Sequence, residues 1–260
     1  MQQLYLAATG MNRGKTTVAL GLLAALIESG RSTGFIKPVG QRYAVVDGVP
    51  ADEDAILMRS VFDLPDALGD LSPVHIPRGF TRAFIEGKVG DDLSARIRAA
   101  YARVADSRDV LLVEGTGHAG VGAVIGLSNA QVAAMLGTPA LIVSEGGVGR
   151  PIDEIVLNRA LFRQHGVPVA GAIVNKVDLD GHPGLGRLVR SGLAHHGIEL
   201  LGVLPYRPIL SNATLAMLLQ QMPGKLLHAG PDPSRPIEHV AIAAMQARHV
   251  LERVGPGSLV

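Results

Sequence analysis

The chain has 260 residues, enough for one large domain or one domain with a small appendage, and 47% of them are hydrophobic. Aromatics are 3% with no Trp, and the formal net charge is +1, so neither an aromatic platform for nucleic acid nor a general pull toward nucleic acid or an anionic membrane is expected. Cysteine is absent, which excludes disulfides, thiolate catalysis and zinc–thiolate centres, and no apolar run approaches the roughly 18 residues of a membrane span.

Residues 4–8 read as a short buried strand, 9–16 as a tight polar loop and 17–27 as a helix that is apolar almost all round. The loop ends in Gly14-Lys15-Thr16. A phosphate at a helix start needs close backbone N–H donors, a cation and a hydroxyl for Mg²⁺; Gly14, Lys15 and Thr16 supply them in that order. Thr9, Gly10, Asn12, Arg13, Gly14, Lys15, Thr16 and Thr17 are therefore the expected nucleotide contacts. The general pattern places its first glycine at position 9; here Thr9 stands there and Gly10 follows. The alternative is an ordinary strand-to-helix turn with Lys15 in solvent.

Residues 34–40 read as a second strand carrying Lys37 at its carboxyl end, the edge where open α/β sheets bind ligands. Asp47-Gly48 marks a turn, and a helix is expected from residue 51. Asp52 and Glu53 there fit a helix N-terminus, whereas Asp54 is a candidate Mg²⁺ or substrate contact. Residues 63–90, punctuated by Pro and Gly, suggest a lid or substrate wall in which Arg78, Thr81 and Arg82 meet an anion or solvent. A helix is expected over 91–107.

Residues 110–113 are four apolar positions running into Glu114 and the glycine-rich Gly115-Thr116-Gly117-His118. An acid at the end of a central strand beside a phosphate loop organises Mg²⁺. Ser128-Asn129-Ala130-Gln131 caps a helix. A fourth strand over 140–144 leads to Arg150, a candidate anion contact, and to Pro151 in a first helical turn. A fifth strand ends in Asn175-Lys176-Val177-Asp178, the Asn-Lys-x-Asp pattern by which GTP-binding proteins read guanine, although no Asp-x-x-Gly switch follows the third strand. The base is thus adenine or guanine, and the loop after the sixth strand, around Pro205, would wall it. The alternation predicts an α/β fold: a mostly parallel, doubly wound sheet of P-loop NTPase type with a small C-terminal α/β appendage. After residue 208 the composition shifts, with helices expected over 212–221 and 237–252, joined by Pro223-Gly224 and Gly230-Pro231-Asp232-Pro233, and an apolar strand-like end at Leu259-Val260.

The run from Ala8-Thr9 to Lys15-Thr16, together with Lys37-Pro38-Val39-Gly40-Gln41, Glu114-Gly115-Thr116-Gly117-His118-Ala119-Gly120 and Gly149-Arg150-Pro151-Ile152-Asp153-Glu154, resembles the dethiobiotin synthetase family. That family includes the N-terminal domains of cobyrinic acid a,c-diamide synthases. The nearest likeness is to the dethiobiotin-synthetase-like domain at the N-terminus of long phosphate acetyltransferases. The resemblance covers residues 1–208; 209–260 are similar to the start of a DRTGG domain that ends before its naming motif.

The resemblance implies ATP, with GTP as the alternative, and Mg²⁺ held by Thr16, Asp54 and Glu114. Lys15 and Lys37 would be catalytic, with Lys37, Gly115, Thr116, Gly117, His118 and Arg150 on the substrate side. It implies an ATP-dependent ligase that activates a small carboxylate or carbamate as a mixed anhydride. Otherwise the chain is a non-catalytic nucleotide-sensing module responding to a metabolite, or a GTPase-like switch. A cytoplasmic homodimer without nucleic-acid or membrane partners is the corresponding expectation. The family's glycine is Ala8 here, Gly10 replaces its acid, and Gly40-Gln41 replaces its substrate-side Ser-Gly. The phosphate and metal apparatus is kept; the part facing the diaminononanoate substrate is not.

Overall fold

A computed structural model describes every residue except 211, 223, 225 and 229–231. The expected turn at Pro223 and the expected loop at Gly230-Pro231 lie outside the described residues. The chain divides into two compact units, Met1–Pro205 and Tyr206–Val260.

In the first unit, strand β1 (Gln2–Ala8) leads through the loop into helix α1 (Lys15–Glu28). Next come β2 (Thr33–Ile36), β3 (Val39–Gly40), a hairpin of β4 (Tyr43–Val46) and β5 (Val49–Asp52), and α2 (Glu53–Phe62). Short α3 (Leu68–Leu71), β6 (Val74–His75) and α4 (Phe80–Ile85) precede α5 (Leu93–Ala105). The second half alternates regularly: β7 (Val110–Glu114), α6 (Asn129–Leu136), β8 (Ala140–Glu145), α7 (Gly149–Gln164), β9 (Val169–Val177), α8 (Leu185–His195) and β10 (Leu200–Pro205).

Six strands form one parallel sheet in the order β10-β9-β8-β1-β7-β2, as the alternating pattern predicts. Strands covered on both faces need apolar side chains at every position, and β7 is buried from end to end. Tyr5, Leu6, Phe35, Leu112, Ile142 and Phe162 are among the fully enclosed core side chains. β1 has β7 on one side and β8 on the other, so the connections diverge beside it. Their carboxyl ends open the crevice in which α/β sheets bind ligands.

Three local expectations change. The second strand breaks at Lys37-Pro38: Lys37 N–H donates to Leu71 C=O at 2.7 Å, and Val39–Gly40 pairs with β6 instead of the main sheet. The α2 helix begins at Glu53, because Asp47 (φ 51°) and Gly48 (φ 79°) form a left-handed hairpin turn that keeps Ala51 and Asp52 in a strand. Asp52 then caps the helix, accepting from Asp54 N–H at 3.1 Å. The segment read as turn-rich over 63–90 contains α3, β6 and α4.

The second unit holds α9 (Leu215–Gln221), capped by the Thr214 hydroxyl, a two-residue parallel pair of β11 (His239–Val240) and β12 (Ser258–Leu259), and α10 (Ala247–Leu251). The helix expected over 237–252 is thus reduced to Ala247–Leu251. None of the unit's described residues is buried, with Ile242 96% and Leu251 74% exposed, so no packed face supports a longer helix.

Candidate functional site

The loop between β1 and α1 turns on Gly14, which has φ 81°. A Cβ built on Gly14 would stand 2.0 Å from Asn175 Nδ2, so glycine is required both for conformation and for space. Asn175 donates from Nδ2 to Arg13 C=O at 3.1 Å, and Lys176 from Nζ to Asn12 C=O at 2.7 Å. The first two residues of the Asn-Lys-x-Asp segment therefore brace the phosphate-type loop directly.

Lys15, in the first turn of α1, reaches Glu114 Oε1 at 2.5 Å. The Thr16 hydroxyl lies 3.2 Å from the same oxygen and 3.1 Å from Asp54 Oδ1. Lys37 Nζ comes within 3.1 Å of Glu114 Oε1, pairs with Asp54 and sits 3.7 Å from Asp52 Oδ1. Five residues singled out in the sequence — Lys15, Thr16, Lys37, Asp54 and Glu114 — thus meet in one cluster at the carboxyl edge of β1, β2 and β7. Glu114 is 0%, Lys37 3% and Lys15 9% exposed. Charges so enclosed persist only when paired.

Burial pushes the Lys15 ammonium down, and neighbouring Lys37 adds to this; the Glu114 carboxylate only partly opposes them, so its pKa falls below the usual lysine value. Burial lowers Lys37 too, but Glu114, Asp52 and Asp54 outweigh it and hold Lys37 above that value. For Asp54, burial acts upward, yet the charge and hydrogen bond of Lys37 bring it below the normal carboxylate range. Asp52 goes up, because burial exceeds what Lys37 returns.

Glu114 Oε2 is buried and has no hydrogen-bond partner. Together with Asp54 and the Thr16 hydroxyl it forms a set of hard oxygen donors, two carboxylates and one hydroxyl, which suits Mg²⁺ completed by water and phosphate. Among the described residues no group of three or more His, Cys, Asp or Glu side chains is arranged to hold a metal ion.

The glycine-rich loop after β7 is organised by Asn129, the first residue of α6. Its Nδ2 donates to the carbonyls of Thr116 and His118, both at 2.7 Å, and its Oδ1 accepts from Thr116 N–H and Tyr5 Oη, both at 2.9 Å. Gly115 packs so closely that a Cβ there would lie 2.4 Å from Asn129 Oδ1. Ser128 and Gln131 form a reciprocal capping box that fixes this helix start. The Thr116 hydroxyl donates to Val39 C=O at 2.5 Å, tying the loop to the segment that follows Lys37.

The other predicted residues lie elsewhere. Thr9 is buried: its N–H donates to Val143 C=O at 2.9 Å, and its hydroxyl sits 2.8 Å from Glu154 and 3.0 Å from Ser144. Arg150 is ion-paired along its own helix with Glu154 at 2.7 Å rather than extended over the cluster. His118 is exposed, and its Nδ1 accepts from Gly120 N–H at 3.2 Å. Asp178 is exposed and accepts from Gly181 N–H at 2.9 Å within its own turn. Gly10 lies within the loop and Thr17 is exposed in the first turn of α1, Gly117 is buried with φ 63°, and Pro205 ends β10.

Asp52 is legible in the sequence only as a helix-dipole acid and Asn129 only as a cap, and Glu145 and Glu154 carry no individual role there. A signal existed for Asp52, since a buried Lys37 requires acids nearby. The contacts that tie the two glutamates to the loop, Glu154 to Thr9 and Arg13 and Glu145 to Arg13, each span more than 130 residues, so no local pattern marks them.

Among the described residues no helix is long and apolar enough to cross a membrane. The phosphate acetyltransferase of Pseudomonas aeruginosa is 27% identical over 277 residues, covering 100% of this chain and 38% of that protein. The ATP-dependent dethiobiotin synthetase of Aromatoleum aromaticum is 31% identical over 175 residues, 67% of this chain and 77% of that enzyme. The chain therefore spans less than two-fifths of the phosphate acetyltransferase but most of the synthetase. Among solved structures, the MinC:MinD cell division protein complex of Aquifex aeolicus matches with a TM-score of 0.51 at 16% identity, covering 81% of this chain and 84% of that one, a likeness of fold. The profile of the AAA_26 family, described as an AAA domain, matches residues 2–214. With that match running through the loop, the paired lysines and the whole parallel sheet, the chain belongs to the AAA_26 family of P-loop domains.

Proposed function

We propose that the chain binds a Mg–nucleoside triphosphate at the carboxyl edge of its sheet and uses it to activate a small carboxylate or carbamate. The observation that carries this reading is the convergence of Lys15 Nζ, Lys37 Nζ and the Thr16 hydroxyl on Glu114 Oε1 beside the Gly14 turn. A lone phosphate-binding lysine would serve nucleotide binding alone. A second buried lysine, delivered from another strand, gives the site two cations for charge developing on a transferred phosphoryl group.

In the proposed reaction an acceptor carboxylate oxygen attacks the γ-phosphorus, the bond to the bridging oxygen breaks and the nucleoside diphosphate leaves. An amine then attacks the acyl phosphate, releasing phosphate and a proton. Lys15 and Lys37 hold the phosphoryl oxygens, and the backbone N–H groups before α1 cradle the phosphates. Thr16, Asp54 and Glu114 would hold Mg²⁺, which neutralises phosphate charge when bound. Beside Thr116, a small cleft of about 70 Å³ is lined by Val39, Gln41, Ile76, Val121, Ile125 and Leu127 among others. Its lining carries no charged side chain, which suits the uncharged body of an acceptor.

A second reading, a nucleotide-sensing module within a longer protein, is favoured by the alignment of the whole chain with 38% of a phosphate acetyltransferase. Phosphate release measured with and without added carboxylates separates the two. The ligase reading expects turnover only with a carboxylate, and Lys37→Met is expected to lower kcat about 100-fold, the scale of losing one transition-state donor. Tight nucleotide binding with no carboxylate-dependent turnover contradicts the ligase and favours the sensor.

A further inference from the structure

The carboxylate of Glu154, on the second turn of α7, joins both shoulders of the phosphate-type loop. Its Oε2 accepts from the Thr9 hydroxyl at 2.8 Å, at the point where β1 becomes loop. Its Oε1 takes Arg13 Nη2 at 3.4 Å, immediately before the Gly14 turn, and Arg150 Nε at 2.7 Å. The other end of the Arg13 guanidinium pairs with Glu145, the last residue of β8. Asn158, one turn further along α7, donates to the Glu154 carbonyl at 2.8 Å and accepts from Ala119 N–H at 2.7 Å. One turn of α7 is thereby fastened to the loops after both β1 and β7.

We propose that Glu154 is a positioning residue for nucleotide binding, holding the segment from Thr9 to Arg13 so that the loop presents its N–H groups to phosphate. This inference rests on the nucleotide-binding reading above. The loop needs such a hold. Between Thr9 and Gly14 it has one glycine, Gly10, and it places Asn12 in the left-handed region at φ 58°, which asparagine adopts more readily than most side chains, so its path is held from outside by Asn175 and Lys176 on one side and Glu154 on the other. The Arg13 side chain is 14% exposed and that of Glu154 25%, so their contact is screened less than a surface pair. Without Glu154 the Arg13 guanidinium is released at one end beside the phosphate cradle, and the Thr9 hydroxyl loses its acceptor on α7. Burial favours a neutral Glu154 carboxyl, but hydrogen bonds from Arg150 and Thr9 and the charges of Arg13 and Arg150 hold it below the usual glutamate value, so the anion is the form that binds the loop.

The test is a titration of the full chain with fluorescent methylanthraniloyl-ATP in Mg²⁺, with the phosphorus NMR spectrum of bound ADP as second readout. Glu154→Gln is expected to weaken binding about 10-fold, to shift the bound β-phosphate resonance and to leave the unfolding midpoint nearly unchanged. Thr9→Val, which removes the other half of the contact without changing side-chain volume, is expected to do the same. The Glu154→Gln/Arg13→Met double variant is expected to lose less than the sum of the singles, because both act through one contact. If the wild type binds while Glu154→Gln and Thr9→Val bind as tightly with an unshifted resonance, the positioning role is wrong and the nucleotide-binding reading stands. If the wild type itself does not bind, both fail together.

Discussion

Gly14→Ala is expected to weaken Mg–nucleotide binding by at least about 100-fold, or about 2.8 kcal/mol. Two effects add. The native φ of 81° is open to glycine but strained for alanine, on the order of 1–3 kcal/mol. The new Cβ would also stand 2.0 Å from Asn175 Nδ2. Relief requires Asn175 to leave the Arg13 carbonyl or the loop to open, and either movement displaces the N–H groups that would face phosphate. The strain also falls on the folded state, so the unfolding midpoint should drop as well, by about 2–4 °C for each kcal/mol that the loop does not relieve by opening. Calorimetric titration alongside a thermal melt checks both. An alanine variant that binds like the wild type would show that the loop is not the phosphate site.

The largest expected effect on stability belongs to Glu114. Glu114→Ala removes the carboxylate shared by two buried lysines. Lys37 keeps Asp54 and Asp52, but Glu114 is the acid Lys15 pairs with. Breaking a buried ion pair from one side costs about 3–5 kcal/mol, because a charge is left without compensation. For a unit of this size that corresponds to a drop of about 10 °C in the unfolding midpoint. The origin of the loss is checked by a second substitution: adding Lys15→Met to Glu114→Ala should restore part of the midpoint, since the stranded charge goes with it. If the double variant melts no higher than Glu114→Ala alone, packing and not charge accounts for the loss.

Much of this site is written locally in the chain. A strand of apolar residues running into Gly14-Lys15-Thr16, and another running into Glu114, specify where each side chain sits along the sheet edge, because parallel strands align their carboxyl ends. Lys37 was legible for the same reason, as a charge at the end of a buried strand. What local pattern does not encode is partnership across the fold. Glu154 looks like any solvent-facing acid on a helix, and its role depends on the phase at which α7 meets a loop 145 residues earlier. Asn129 reads as a helix start, yet its amide holds together the loop after β7. Conversely, Arg150 and Asp178 sit in suggestive motifs, but the nearest oppositely charged or donor groups are their own neighbours, Glu154 and Gly181, and these take them first. The C-terminal unit marks the other limit. The segment 237–252 reads as a long helix in the sequence, and without a buried face only Ala247–Leu251 forms one.

The central claim, that the Lys15–Lys37–Glu114 cluster is a Mg–nucleotide site, is tested most directly by isothermal titration of the chain with ATP and with GTP, each with and without Mg²⁺, beside Lys15→Ala. The expected result is binding of one nucleotide per chain that requires Mg²⁺ and falls at least about 10-fold in Lys15→Ala, a loss of about 1.4 kcal/mol. No heat with either nucleotide in Mg²⁺, or binding that Lys15→Ala leaves unchanged, would contradict it.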